Sequence, residues 1–136
     1  MSLESYPWQT KQLPRHYDDR AVDNSEIRLL FRTDAASVVH CTLPPKATSV
    51  AARNIETNEI WYFITGQGEF WRRQEGVGRE ETIRVGPGTA VTVPADVGFQ
   101  FRSIGEEPLT FLCITMPPWR PGVTIEIEGP WQPSPV

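Results

Sequence analysis

The strongest strand signal in the chain is the sequence EIWYFIT at residues 59–65, which is rich in aromatic and β-branched side chains. The turn Gly66-Gln67-Gly68 follows it, and the sequence EFWRR then occupies residues 69–73. Because glycine readily adopts the positive φ that tight strand connections need, the segment predicts a β-hairpin. It is the best-defined hairpin signal in the chain.

Further short strands are predicted on both sides of this hairpin, from apolar residues that alternate with polar ones between glycines and prolines. They lie at about residues 26–32, 38–43, 81–85, 89–93, 99–103, 109–116 and 124–127. The thirteen prolines and ten glycines favour many turns over long helices. This pattern of roughly eight or nine short strands predicts an all-β sandwich or barrel.

The chain has 136 residues, which is the size of one domain. We expect an N-terminal arm at residues 1–24, a barrel at residues 25–120, and a proline-rich tail at residues 121–136 that packs on the barrel or on a dimer partner. Tryptophans occur in both end segments, at Trp8 and Trp131. Since exposed tryptophan is costly and aromatic residues are enriched at interfaces, a homodimer is predicted.

Charge and composition exclude several function classes. Thirteen Lys and Arg against seventeen Asp and Glu give a formal net charge of −4, so no basic surface for nucleic acid is expected. No apolar run approaches the roughly 20 residues that span a bilayer, and a membrane partner is not expected either. The start of the chain lacks the features of a signal peptide, and Cys41 and Cys113 are interpreted as buried thiols. A cytoplasmic location is expected.

Two spacings within residues 45–103 connect the chain to a known family. Glu59 is followed after six residues by Gly66, and Gly88 is followed after five residues by Pro94. In these spacings the chain resembles the cupin superfamily. The resemblance implies an all-β fold, the double-stranded β-helix or jelly-roll barrel.

The resemblance also implies where a metal would be held in such a barrel, by three histidines and a glutamate. In this chain two of the histidine positions fall on Ala52 and Asn54, and the third falls on Phe99 or on its neighbour Gly98. Only Glu59 remains of the usual ligand set. Because a divalent transition metal generally needs three or four protein ligands, we expect no metal and no cofactor.

Strand alternation predicts which side chains share the barrel interior with Glu59, on the assumption that this carboxylate points inward as its family counterpart does. The candidate ligand-binding residues are Asn54, Trp61, Phe63, Phe99, Phe101 and Ser103. Whether His40, Trp71 or Arg72 also faces the interior depends on strand register, which the sequence does not settle.

Glu59 is the candidate catalytic residue. A carboxylate in an aromatic cavity must be hydrogen-bonded, paired or protonated, and such a group can act as a general acid or base. Three functions follow from this interpretation. The leading one is a metal-independent cupin that binds a small, partly apolar molecule, for example as a cofactor-free isomerase, cyclase or lyase. The alternatives are a metal-dependent oxygenase or isomerase with unconventional ligands, and a non-catalytic ligand-binding or assembly protein.

Overall fold

A computed structural model describes residues 8–135, in which eleven strands form two antiparallel sheets. The strands are β1 (Asp19–Arg20), β2 (Glu26–Arg32), β3 (Ser37–Leu43), β4 (Ala52–Asn54), β5 (Asn58–Thr65), β6 (Gly68–Gln74), β7 (Arg79–Val85), β8 (Ala90–Val93), β9 (Gly98–Ser103), β10 (Leu109–Met116) and β11 (Thr124–Glu126). One sheet has the order β1-β2-β3-β10-β5-β8 and the other has the order β11-β4-β9-β6-β7.

This architecture confirms the all-β jelly-roll prediction. The described residues include no α-helix, and a single 3-10 turn at Glu75–Val77 joins β6 to β7. Side chains from the inner faces of both sheets form one hydrophobic core. None of residues 8–135 belongs to a helix that is long and apolar enough to cross a membrane.

The predicted hairpin between β5 and β6 is wrong. β5 pairs with β10 and β8 in one sheet, whereas β6 pairs with β7 and β9 in the other. The intervening turn therefore carries the chain from one sheet to the other. Gly66, at φ +83°, makes this corner, where an added Cβ would lie 2.9 Å from the Cα of Leu109. The glycine serves a close backbone approach between sheets instead of a two-residue hairpin.

The inward and outward faces of β5 follow the predicted alternation. Glu59, Trp61 and Phe63 are buried, whereas Ile60 and Tyr62 on the opposite face are 40% and 48% exposed. This apolar row lies on the outer face of the six-stranded sheet. The homodimer stays a prediction.

One end of the barrel is closed by aromatic rings packed around Trp61. The Trp61 ring stacks on Phe111 with centroids 4.5 Å apart, and Phe70 and Phe101 meet it edge-on at 5.0 and 5.2 Å. Phe63, Phe70 and Phe101 are fully buried. Such close edge-on and stacked contacts stabilise the barrel beyond the burial of apolar area alone.

A backbone feature of the cupin motif persists without its glycine. Asp96 stands where the second motif has glycine after Pro94, and it adopts φ +68°. Its N–H donates to the Asn54 carbonyl at 2.6 Å, and its carboxylate pairs with Arg53 at 2.9 Å. Aspartate tolerates this left-handed conformation better than most residues, so the turn is retained.

The N-terminal segment differs from the expected arm. β1 pairs with β2, which places residues 18–23 at the open end of the barrel. Asp23 and Ser25 are buried there, and Trp8 is 99% exposed. The part of the expected arm at residues 1–7 lies outside the described residues. The described part thus includes a strand that contributes to the barrel wall.

The proline-rich tail packs on the outer face of the five-stranded sheet. β11 pairs with β4, and Val123 just before it is buried. Further along, the Trp131 N–H donates to Gln100 Oε1 at 3.1 Å, and the Arg102 guanidinium lies 4.2 Å from the centroid of the Trp131 ring. In this structure the tail therefore lies against its own barrel.

The three side chains whose direction the sequence left open all lie outside the main cavity. His40 is on the outer face of β3, where burial and then the charge of Arg28 lower its pKa. The Trp71 Nε1–H donates to Glu80 at 2.8 Å, and Arg72 donates to the Thr92 carbonyl at 2.8 Å.

Candidate functional site

A cavity of about 370 Å³ occupies the open end of the barrel. β2, β3, β5 and β10 contribute residues to its lining, and so do residues 18–23. Its polar lining comprises Asp18, Asp19, Arg20, Asp23, Ser25, Arg32, Ser37, Asn54, Glu59, Thr115 and Thr124. Its aromatic wall comprises Trp61, Phe99, Phe111 and Trp119. A concave, mostly apolar space with a few convergent polar groups is the usual form of a small-molecule site.

Glu59 lies on β5 inside this cavity and is only 7% exposed. Its Oε1 accepts a hydrogen bond from Trp61 Nε1–H at 2.9 Å, and its Oε2 accepts one from Thr115 Oγ1–H at 2.8 Å. Both donors are neutral. Among residues 8–135, no Lys, Arg or His pairs with it. The carboxyl group is therefore oriented by neutral donors and has no basic partner among the described residues.

Asn54, at the end of β4, lines the cavity and carries a donor without a partner within residues 8–135. Its Oδ1 accepts from Thr124 Oγ1–H at 2.7 Å, and the Thr124 hydroxyl in turn accepts from Trp119 Nε1–H at 2.8 Å. The Thr124 hydroxyl thus accepts from Trp119 and donates to Asn54, so the amide oxygen is already engaged. The Asn54 Nδ2 group is buried and has no partner in the described chain. A ligand oxygen could satisfy it.

Asp23 is a second buried carboxylate in the cavity, and the sequence prediction missed it. Its Oδ1 accepts from the Ser25 N–H at 2.9 Å and from the Ser25 hydroxyl at 2.7 Å. Burial raises its pKa from 3.8 to about 6, with a smaller contribution from the charge of Glu59, against the opposing effect of the Ser25 bonds. The Asp-x-Ser spacing signals a local turn but not burial, so no sequence feature distinguished it from the solvated acids nearby.

Cys41 on β3 and Cys113 on β10 also line the cavity, and both are buried free thiols, which confirms the prediction for them. Burial, together with nearby carboxylates, raises the pKa of each thiol. A thiol must lose its proton to act as a nucleophile or metal ligand. Since both thiols therefore stay protonated, Cys41 and Cys113 act as part of the apolar wall of the cavity.

Four of the seven predicted site residues line the cavity: Asn54, Glu59, Trp61 and Phe99. The other three lie away from it, which corrects the expectation. Phe63 and Phe101 face inward but lie beyond Trp61 at the closed end, where the Phe rings fill the interior. The Ser103 hydroxyl donates to the Glu107 carbonyl at 3.4 Å. Alternation identified the inward faces, but it gave no information on how deep the packed rings extend.

The donor set does not fit a transition metal. At the positions of the three family histidines stand the Ala52 methyl group, the Phe99 ring opposite it across β4 and β9, and the Asn54 amide. The amide oxygen is already taken by Thr124. Within residues 8–135 no cluster of three or more His, Cys, Asp or Glu side chains is arranged to hold a metal ion. A stable divalent site requires more ligands than Glu59 alone.

Comparison with known families assigns the chain to a class. The model of the cupin domain matches residues 39–115, which is more than half of the chain. The chain therefore belongs to the cupin family, as its motif spacing and its jelly roll indicate. Comparison with curated proteins gives no match.

Solved structures share the fold at low sequence identity. Oxalate decarboxylase from Bacillus subtilis superposes with a TM-score of 0.67 at 20% identity, over 76% of this chain and 28% of that one. CapF in complex with 3-isopropenyl-tropolone gives 0.71 at 16% identity, over 88% and 35%. KdgF from Halomonas sp. gives 0.63 at 16% identity, over 76% and 88%. The chain thus spans less than a third of the oxalate decarboxylase, and these likenesses show the fold alone.

Proposed function

We propose that this cupin binds a small, partly apolar molecule in its cavity without a metal, and that Glu59 transfers a proton to or from it. The observation that supports this most directly is the environment of Glu59. Its oxygens accept hydrogen bonds from an indole N–H and a hydroxyl, in the place where family members hold a metal. An oriented carboxylate in a largely apolar cavity is well suited to general acid–base chemistry.

The neighbouring donor suggests which bond such a carboxylate would act on. A ligand carbonyl oxygen that accepts from Asn54 Nδ2 would be polarised, and the carbon beside it would become more acidic. Glu59 would take the proton from that carbon, the C–H electron pair would form the enolate double bond, and Asn54 would stabilise the enolate oxygen. Return of the proton to the same or another carbon completes an exchange or an isomerisation.

The main alternative is a metal-dependent reaction. One of the fold neighbours, Bacillus subtilis oxalate decarboxylase, contains Mn(II) centres. The donor set around Glu59 argues against carrying that chemistry over. The positions of the family histidines offer a methyl group, a phenyl ring and an amide whose oxygen is already hydrogen-bonded.

Two measurements test the proposal. Elemental analysis of purified, untagged protein should find far less than one transition metal per chain. In D₂O, we expect the protein to accelerate deuterium exchange at the α carbons of cyclohexanone or phenylacetone at least tenfold over buffer, as followed by proton NMR, and Glu59→Gln should reduce the rate to that of buffer.

Glu106→Gln is the matched control, because this side chain is 92% exposed and lies outside the cavity. It should leave the exchange rate unchanged. A stoichiometric transition metal that is lost in Glu59→Gln would support the metal-dependent alternative. Ketone binding without exchange would support a non-catalytic binding protein.

A further inference from the structure

The wall of the cavity carries more negative than positive side chains. Arg20 and Arg32 are its only basic residues within the described part of the chain. Arg20 Nη1 donates to the Asn24 carbonyl at 3.1 Å, and Arg32 Nη1 donates to the Trp119 carbonyl at 2.7 Å. Both guanidinium groups are therefore already hydrogen-bonded to backbone carbonyls. The acidic residues of the same wall are Asp18, Asp19, Asp23 and Glu59.

Two of these acids differ from the others because they are buried. Asp23 and Glu59 are each 7% exposed, and neither pairs with a basic side chain of residues 8–135. Their hydrogen bonds come from neutral donors of Ser25, Trp61 and Thr115. Removing a carboxylate from water without a counter-charge is costly, and the raised pKa of Asp23 reflects the same cost. A cation in the cavity would lower this cost of burial for both carboxyl groups.

The rest of the cavity favours an organic cation over a bare ion. Trp61, Phe99 and Phe111 give the cavity an apolar aromatic lining, which suits the apolar body of an organic ligand. Asn54 adds an independent sign of a ligand, because its buried Nδ2 lacks an acceptor. At about 370 Å³ the space lies near the small end of the range for ligand pockets.

From this arrangement we propose, building on the proposed function, that the cavity selects a small amine. Its ammonium group lies between Asp23 and Glu59, its apolar body lies against Trp61 and Phe99, and a carbonyl or hydroxyl oxygen accepts from Asn54. The same arrangement disfavours a carboxylate ligand, which would face two buried acids of its own sign.

Three probes of one shape test the selectivity: benzylamine, benzyl alcohol and benzoate, titrated by calorimetry at pH 7.5 and low salt. We expect benzylamine to bind the wild-type protein at least tenfold more tightly than benzyl alcohol, and benzoate to bind weakest. In Asp23→Asn the amine should lose most of its advantage, to less than threefold, while the affinity for benzyl alcohol changes less than threefold.

Asp34→Asn is the control, since this exposed acid does not line the cavity. It should keep the wild-type order of affinities. Glu59→Gln provides a second test if Asp23→Asn does not fold, as judged by near-ultraviolet circular dichroism, and it should reduce the amine preference in the same way.

Equal or tighter binding of benzyl alcohol or benzoate by the wild-type protein would overturn the amine proposal, and so would an amine preference that survives both substitutions. Absence of binding by all three probes would overturn it as well. The proposed function has its own readouts, metal content and ketone exchange, so it can stand when the amine selectivity fails.

Discussion

The two ends of the barrel interior share β5 and β9 but differ in the chemistry of the side chains that fill them. At the closed end Phe63, Phe70 and Phe101 are fully buried and belong to the hydrophobic core. At the open end, buried carboxylates and an amide occupy the equivalent interior space. Trp61 separates the two, because its ring packs on the closed end while its Nε1–H donates to Glu59. The side of Trp61 that holds the Phe rings therefore contributes mainly to stability. The other side holds the polar groups that can bind or react with a ligand.

The largest effect on stability should come from removing a buried ring at the closed end. Phe101→Ala removes a fully buried ring that packs edge-on against Trp61 and Phe111, and it should lower the free energy of unfolding by about 3–5 kcal/mol. Urea denaturation measures this change. Tyr62→Ala, on the exposed outer face, should cost much less. A cost below about 1 kcal/mol for Phe101→Ala would contradict the division, since fully buried rings are not so cheaply removed.

A pH-dependent effect should come from the open end. Because the pKa of Asp23 is raised to about 6 in the fold, unfolding releases its proton between pH 3.8 and 6, and its contribution to stability falls as the pH rises through that window. The full contribution is present below pH 3.8 and is lost above pH 6, a change on the order of 3 kcal/mol. Urea denaturation at pH 3.5, 5 and 7 should therefore show a wild-type decline that Asp23→Asn largely removes.

Parallel pH profiles of the wild type and Asp23→Asn would instead mean that Asp23 titrates alike in the folded and unfolded chains. The open end would then carry no electrostatic cost, and its contrast with the closed end would weaken. Asp34→Asn is the matched control, because this acid is exposed. Its profile should follow that of the wild type.

A smaller effect on stability should come from removing a hydrogen bond to Glu59, where the apolar and polar ends of the interior meet. Thr115→Val keeps the shape of the side chain but removes the hydroxyl that donates to Glu59 Oε2 at 2.8 Å, and it should cost about 1–2 kcal/mol. Thr92→Val, on the exposed face of β8, should change stability by less than about 0.5 kcal/mol. If both substitutions cost the same, the Thr115 bond does not hold the carboxylate.

Local patterns predicted the strands and their buried faces well. The alternation in residues 59–65 identified Glu59, Trp61 and Phe63 as inward, because side-chain direction in a strand depends only on the period of two. The same local signal failed at Gly66, where flexible backbone is compatible with either a hairpin or a corner between sheets. Which of the two forms depends on the pairing of distant strands with β5 and β6, and no neighbouring residue encodes it.

Only some residues of the candidate site could be predicted from the sequence. Motif spacing located Glu59, Asn54 and Phe99, but nothing in the chain around Asp23 separates it from the solvated acids Asp18 and Asp19. Its burial results from the pairing of β1 with β2 and from the bond between its carbonyl and the Val50 N–H. Contacts between residues so far apart in the chain are properties of the folded molecule.

By itself, then, the sequence determined the jelly-roll class, the inward set of side chains on β5 and the loss of the family histidines, because each depends on residue type and short-range spacing. Only the tertiary structure decided where the cavity ends, which second carboxylate enters it, and how the Asn54 amide is oriented. These features depend on the distances between side chains that the closure of two sheets brings together.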